Sequence, residues 1–131
     1  MGFQHQQYNQ ILSFIDKNCS NLINKPKIVA ISKNHPTSRV KEAIDSGVRI
    51  FGENKVQEAL VKFSDLKKKH NTIELHLTGS LQTNKVKLAL TIFDIFQTLD
   101  REKLAIEFNK RIIKNSDKKF FIQVNTGMEK Q

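Results

Sequence analysis

The residue with the most evident chemical potential is Lys33, which closes the apolar stretch 27–33 (KIVAISK) and precedes Asn34, His35 and Pro36. A lysine amine that is partly removed from water is more readily deprotonated, and the free amine attacks a carbonyl group to form a Schiff base. The sequence therefore predicts a carbonyl-binding lysine. The alternative is a solvated surface charge, since long lysine side chains readily reach water.

The element that must position Lys33 is the run 28–31 (IVAI). This run is short, rich in β-branched residues and bounded by Pro26 and Pro36, a pattern typical of a buried strand rather than a helix. Lys33 would then lie at the carboxyl end of the strand. Ligands of parallel α/β folds bind at these ends, because the loops there vary without disturbing the core.

The remaining chain alternates between helical and strand patterns. A helix is predicted over 4–17, and strands are predicted to begin near positions 27, 48, 73, 92 and 119, each pair separated by one helix-length segment. Thr37 or Ser38 would cap the second helix and Asp100 the last. This α/β alternation predicts a single domain over 1–131, with a helical region over 1–24 and β/α units over 27–131. The sheet would be parallel, either doubly wound or an arc of a barrel.

Polar and glycine residues follow four of the five predicted strands, where parallel strands would bring them to one edge of the sheet. Amines, side-chain amides and backbone amides converging there suit a small anionic or carbonyl ligand, although strand ends are polar in every α/β protein. The residues at these ends are Ser32 and Lys33; Gly52, Glu53 and Asn54; Thr78, Gly79 and Ser80; and Asn125 and Thr126.

Three further side chains have both a functional and a structural interpretation. His76 lies within a predicted strand, either as a catalytic group or as a histidine of the interior. Glu53 is a candidate general base or partner of Lys33, or else makes a surface contact. Asn84, beside Lys85 near a helix start, could meet a phosphate or cap the helix.

Composition narrows the classes of partner. The net charge is +9, but only Lys67, Lys68 and Lys69 form a tight cluster and no aromatic residues are interleaved with it, so we expect no nucleic-acid site. The single cysteine, Cys19, favours a reducing compartment. With no apolar run near 18 residues and no signal-like start, we expect a cytoplasmic protein without a membrane or metal site.

Five ordered motifs resemble the YggS/PROSC family of pyridoxal 5′-phosphate (PLP)-binding proteins. The resemblance runs from about residue 27 to 131 and is highly specific. The motifs are VAISK with Lys33, FGEN with Asn54 followed by VQEA, HLTGSLQTNK over 76–85, TLDR ending at Arg101, and IQVNTG over 122–127.

This resemblance implies a TIM-type (β/α)8 barrel like the amino-terminal domain of alanine racemase, truncated here after about five strands. It implies PLP held as a Schiff base on Lys33, with Asn54, His76, Gly79 and Asn84 around the cofactor. It also implies a carrier that balances vitamin B6 and amino-acid pools without a defined catalytic reaction.

The sequence departs from the family pattern in two ways. Many members carry a second lysine where this chain has His35. A complete barrel needs about 250 residues, and the family's phosphate-binding serine, glycine and arginine positions lie beyond residue 131. Because a five-strand arc exposes a parallel edge and an apolar interior, we expect either that the chain is a fragment or that a second polypeptide or another copy of the chain completes the barrel.

Two alternative functions remain at this point. One is a PLP-dependent amino-acid racemase-like enzyme, which would need an opposing acid or base and usually another domain. The other is a non-binding remnant or interaction module, which the missing phosphate site favours.

Overall fold

The structure, a computed structural model, describes residues 2–114 and 116–127. One helix precedes five strands, and a helix lies between each pair of consecutive strands. The elements are α1 (His5–Asn18), β1 (Ala30–Ile31), α2 (Thr37–Asp45), β2 (Ile50–Glu53), α3 (Val56–Lys69), β3 (Glu74–Leu77), a 3₁₀ turn (Thr83–Lys85), α4 (Val86–Ile92), β4 (Ile95–Leu99), α5 (Glu102–Arg111) and β5 (Lys119–Ile122). The predicted α/β alternation is confirmed.

The five strands form one parallel sheet whose spatial order is the chain order, β1-β2-β3-β4-β5. Each crossover therefore adds a strand on the same side of the previous one. Within these five strands the winding does not reverse, so they are not doubly wound.

One face of the sheet packs against helices α2 to α5. Residues pointing to this face alternate along the strands with residues pointing to the other, because successive side chains of a strand project to opposite sides. The buried core on the helix side includes Phe51, Leu75, Leu77 and Phe96 from the strands and Ile44, Ala59, Phe63, Val86, Ala89, Leu104 and Phe108 from the helices.

The opposite face carries Ile31, Gly52, His76 and Ile95, which the register places side by side across β1 to β4. A Cβ added to Gly52 would lie 2.6 Å from Ile31 Cδ1 and 3.2 Å from Thr78 Cγ2. The absence of a side chain at Gly52 therefore leaves room for Ile31 and Thr78 on this face of the sheet. Ile31 nevertheless remains 46% exposed, since β1 pairs with β2 alone among the described strands.

Two of the strands, β1 and β4, begin about three residues later than the sequence predicted. β1 is confined to Ala30–Ile31, and β4 begins at Ile95 rather than Ile92 because α4 continues through Ile92.

The predicted side-chain caps were wrong. Pro36 and Arg101 occupy the N-cap positions without a capping side-chain bond, and Asp100 instead accepts a hydrogen bond from Arg101 Nη1 at 2.6 Å.

The first helix lies on the outside of the fold. Its apolar spacing correctly predicted a helix, yet none of its residues is buried, and Ile11 and Phe14 face solvent. Just before it, the Phe3 N–H donates to Glu42 Oε2 at 2.8 Å, which ties the amino-terminal segment to α2. Over residues 2–114 and 116–127, no helix has both the length and the apolar composition to cross a membrane.

Candidate functional site

Lys33 lies in a tight turn directly after β1. The His35 N–H donates to the Ser32 carbonyl at 3.1 Å, which closes a four-residue β-turn with Lys33 as its second residue. The third residue, Asn34, has a φ of 62°, in the left-handed region that asparagine tolerates better than most residues. The turn directs the chain away from the sheet, and Lys33 is exposed.

Ser32 is held by the neighbouring strand. Its N–H donates to the Gly52 carbonyl at 2.9 Å, and its hydroxyl donates to Glu53 Oε1 at 2.7 Å. Ser32 is buried, so these bonds form away from water, where an unpaired polar group would be costly. The residue before Lys33 is therefore fixed to β2 through both its main chain and its side chain.

A buried ion pair lies beneath the turn. Lys62 of α3 donates to Glu53 Oε1 at 2.9 Å and to the Ser32 carbonyl at 2.6 Å. The Lys62 side chain is 7% exposed and that of Glu53 is fully buried. Lys62 therefore compensates the Glu53 charge, and the suggested pairing of Glu53 with Lys33 is replaced by this one.

A second carboxylate of α3 holds the other side of the turn. Glu58 Oε1 accepts the Asn34 N–H at 2.7 Å and also a hydrogen bond from Lys62 Nζ at 2.6 Å. These bonds favour the ionised carboxylate, so Lys62 first and the Asn34 N–H second hold the pKa of Glu58 below its ordinary value of 4.5. Both neighbours of Lys33 are thus bound to the same charged group of side chains.

Asn54 and Gly79, two of the predicted cofactor-binding residues, are in direct contact. A Cβ added to Gly79 would lie 2.4 Å from the Asn54 carbonyl oxygen and 2.7 Å from Asn54 Cβ. Only glycine allows the loop after β3 to approach the loop after β2 this closely. Asn54 Oδ1 is buried and has no hydrogen-bond partner among the described residues.

These two residues line a cavity of about 440 Å³ at the carboxyl end of the sheet, together with Lys55, Ser80, Lys85 and others. Asn84 is exposed on the 3₁₀ turn beside this cavity, between the lining residues Gln82 and Lys85 along the chain. Arg101, the last residue of the TLDR motif, donates to the Leu81 carbonyl at 2.6 Å and so fixes the loop after β3.

His76 belongs to a separate polar group on the face of the sheet away from the helices. Gln97 Nε2 donates to His76 Nδ1 at 2.7 Å, and His76 Nε2 lies 2.9 Å from Glu74 Oε1. Since the glutamine amide donates to Nδ1, the neutral ring carries its proton on Nε2 and donates it to Glu74. His76 is buried at the level of Gly52, two residues below Asn54 on the same side of the sheet.

A second cavity, of about 350 Å³, opens beside β1 and is lined by Phe3, Ile31, Ser32, His35 and Phe51, among others. His35, at the position of the family's second lysine, accepts a hydrogen bond from Arg39 Nη1 at 2.9 Å. Ser32 and His35 thus line this cavity, whereas Lys33, which lies between them in the chain, is not among the residues lining either cavity.

The sequence interpretation missed Glu58, Lys62 and Gln97. Lys62 had a recognisable signal, because it falls on the apolar stripe of α3 between Ala59 and Phe63, where a lysine must find a partner. Glu58 lies four residues before it, the favourable orientation for a helical ion pair. Gln97 had no comparable signal, since its contact with His76 depends on the pairing of β3 with β4.

Comparison with known proteins gives similar relatives over most of the chain. The pyridoxal phosphate homeostasis protein of Buchnera aphidicola subsp. Schizaphis graminum is 43% identical over 121 residues, covering 92% of this chain and 52% of the relative. The protein of the same name from Aquifex aeolicus is 36% identical over 128 residues, covering 95% of this chain and 55% of the relative. No protein-family model matches.

Among solved structures, PipY of Synechococcus elongatus PCC7942 with PLP bound matches with a TM-score of 0.61 and 35% identity. The match covers 73% of this chain and 47% of PipY. The parallel sheet and its lysine-bearing turn thus define an α/β protein with the PipY type of fold. The predicted resemblance to the YggS/PROSC family is confirmed over the part that the chain spans, where its relatives are pyridoxal phosphate homeostasis proteins.

The chain spans about half the length of the curated relatives that it matches. All five sequence motifs that indicated the family lie within this half. The resemblance is therefore confirmed for the part of the relatives that this chain covers.

Proposed function

We propose that the chain binds PLP through the amine of Lys33 and serves vitamin B6 and amino-acid homeostasis. The observation that carries the proposal is the turn at the end of β1, where Lys33 is exposed while Ser32 and Asn34 on either side are fixed. A fixed main chain limits where the amine can reach, which favours capture of one ligand in one orientation. PipY, with a similar fold, is known with PLP bound.

PLP supplies an aldehyde that condenses with a primary amine and releases water. Lys33 would provide that amine. It is exposed, whereas the sequence predicted an amine partly removed from water, and this exposure leaves it accessible to a ligand arriving from solvent. Asn54 fits a polar ligand because its buried Oδ1 has a free acceptor position. Gly79 lets the loop after β3 lie against Asn54, both residues line the cavity, and Asn84 lies beside it.

The proposed part of His76 is indirect. Its ring is already hydrogen-bonded to Gln97 and Glu74, so it presents a fixed surface below Asn54 rather than a free acid or base. This arrangement suits support of a bound ring from beneath.

The proposed architecture is one domain over 1–131, with an outer helical region over 1–24 and β/α units over 27–131 that form an arc of a TIM-type (β/α)8 barrel. The unreversed strand order and the likeness to PipY support this arrangement. By the same argument the complete barrel would resemble the amino-terminal domain of alanine racemase.

We further infer that the chain has no defined catalytic reaction of its own and acts in the cytoplasm. The relatives are named for homeostasis rather than for a reaction, and the lone thiol of Cys19 suits a reducing compartment. Incubation with L- or D-alanine and PLP tests the first point, since formation of the opposite enantiomer would favour a racemase-like enzyme.

The proposed binding is tested by mixing the full chain with PLP, reducing with borohydride and locating the adduct by peptide mass spectrometry. We expect selective labelling of Lys33, loss of that label in Lys33→Ala, and an unchanged label in Lys27→Ala. Lys27 is a suitable control because it is exposed in the same segment but precedes the strand. Scattered labelling that Lys33→Ala leaves unchanged would refute the proposal.

A further inference from the structure

The turn that carries Lys33 is not held by its own sequence alone. A β-turn with a single main-chain hydrogen bond and a non-glycine residue at positive φ is a weakly stable element. Its position relative to the sheet must come from other contacts. In the described structure these come from β2, which binds Ser32, and from α3, which binds the peptide groups on both sides of Lys33.

The contacts from α3 fall on both peptide groups that flank Lys33. Lys62 Nζ donates to the carbonyl of Ser32, which belongs to the peptide group before Lys33. Glu58 Oε1 accepts the N–H of Asn34, which belongs to the peptide group after it. A cation and an anion, joined to each other at 2.6 Å, therefore bind the acceptor before Lys33 and the donor after it.

The two α3 residues differ in what else they do. Lys62 also neutralises the buried Glu53 and so supports the core. Glu58 is partly exposed, with a side chain 23% accessible, and its described contacts are the Lys62 ammonium and the Asn34 N–H. Its replacement would thus free the turn without leaving Glu53 uncompensated.

We propose that Glu58 is a positioning residue, whose carboxylate holds the turn so that the Lys33 amine is presented to the ligand in one place. This inference rests on the proposed function of Lys33 as the site of PLP attachment. Glu58 acts on the main chain of Asn34 and does not itself need to touch the ligand.

The experiment compares the wild type with Glu58→Ala, Glu58→Gln and Glu102→Ala. Glu102 is the matched control, since it is likewise an acidic residue in the first turn of its helix and its loss removes the same interaction with the helix dipole. Two quantities are measured on the full chain: hydrogen exchange of the Asn34 amide by NMR, and the rate of borohydride-trapped labelling of Lys33 by PLP.

In Glu58→Ala we expect the Asn34 amide to exchange about tenfold faster, the effect of losing one hydrogen bond to a charged group, and Lys33 labelling to slow several-fold. Glu58→Gln retains an acceptor oxygen and should recover part of both effects, while Glu102→Ala should match the wild type. Unchanged Asn34 exchange in Glu58→Ala, or an equal effect in Glu102→Ala, would overturn the proposal.

Different results would refute the two proposals, PLP attachment to Lys33 and positioning of Lys33 by Glu58. If the wild type shows no selective labelling of Lys33, the proposed PLP attachment is refuted, and the part of this inference that concerns presentation of the amine falls with it. If Lys33 is labelled selectively but at the same rate in Glu58→Ala, only the positioning role is refuted.

Discussion

Glu53 and Lys62 form an ion pair of 2.9 Å that lies almost entirely out of contact with water. It joins the end of β2 to the middle of α3, and the Ser32 hydroxyl shares the same carboxylate oxygen. A charge in such a place is stable only while its partner is present, because the solvation that it lost is not otherwise replaced.

Replacing Lys62 by methionine should therefore destabilise the chain strongly. We expect Lys62→Met to lower the free energy of unfolding by about 3–5 kcal/mol, the range for breaking a buried pair on one side only, as measured by urea denaturation. The exposed Lys69, on the same helix, serves as the control, and Lys69→Met should change the free energy by less than about 0.5 kcal/mol. The double variant Glu53→Gln, Lys62→Met should be more stable than Lys62→Met, and a less stable double variant would contradict the account.

Two glycines allow a matched test of the contact between the loops after β2 and β3. In Gly79→Ala the new Cβ would collide with the Asn54 main chain at 2.4 Å, and we expect a loss of about 1–3 kcal/mol with shifted NMR signals of Asn54. Gly47 has a φ of 93° and open space around it, so Gly47→Ala should lose about 1–2 kcal/mol through backbone strain alone. If the NMR signals of Asn54 do not shift in Gly79→Ala, the loops after β2 and β3 are farther apart than described.

The ionisation of Glu58 predicts a specific pH dependence. Since Lys62 and the Asn34 N–H lower the pKa of Glu58 in the folded chain, its contribution to stability is complete above the ordinary value of 4.5 and is lost as the pH falls through the lowered value. The free energy of unfolding of the wild type should therefore exceed that of Glu58→Gln by a constant amount near neutral pH. That difference should shrink below about pH 4.5, and a difference independent of pH would count against the assigned contacts.

Besides its pairing with β4, the strand β5 is anchored to the core by the side chain of Phe120. Phe120 stacks on Phe96 with ring centroids 5.2 Å apart and meets Phe108 edge-on at 4.8 Å. Because Phe120 is only partly buried, we expect Phe120→Ala to cost about 2–3 kcal/mol, below the value for a fully buried phenylalanine. Phe121, the next residue, is 51% exposed, so Phe121→Ala should cost less than about 1 kcal/mol. Equal losses of unfolding free energy in Phe120→Ala and Phe121→Ala, measured by denaturation, would show that β5 pairs with β4 in another register.

The sequence predicted which segments form helices and strands better than it predicted how the helices begin. Alternating apolar runs and helical stripes located all five strands and the helices between them, since these patterns follow from burial of one face. The predicted caps of α2 and α5 were wrong because the helices begin at other positions. Thr37 is already inside α2, with Pro36 as its N-cap, and Asp100 accepts a hydrogen bond from Arg101, which occupies the N-cap of α5.

The same limit applies to the candidate site. Lys33 could be proposed from the sequence because a strand and its end are read from consecutive residues. Its support was not, because Ser32 meets Glu53 only through the pairing of Ile31 with Gly52, and Lys62 reaches Ser32 across 30 positions of the chain. Contacts of this kind depend on the register of the sheet rather than on a local pattern.

The agreement between spatial and chain order in the sheet also bears on how the chain acquires its structure. Paired residues of neighbouring strands are 19 to 24 positions apart along the chain throughout, so each strand pairs with the one synthesised just before it. Loop closures of this modest and uniform length favour assembly that proceeds strand by strand from the amino terminus, in step with translation. Lys33 would thus leave the ribosome first. The residues that hold its turn, Glu53, Glu58 and Lys62, would follow within the next 29 residues.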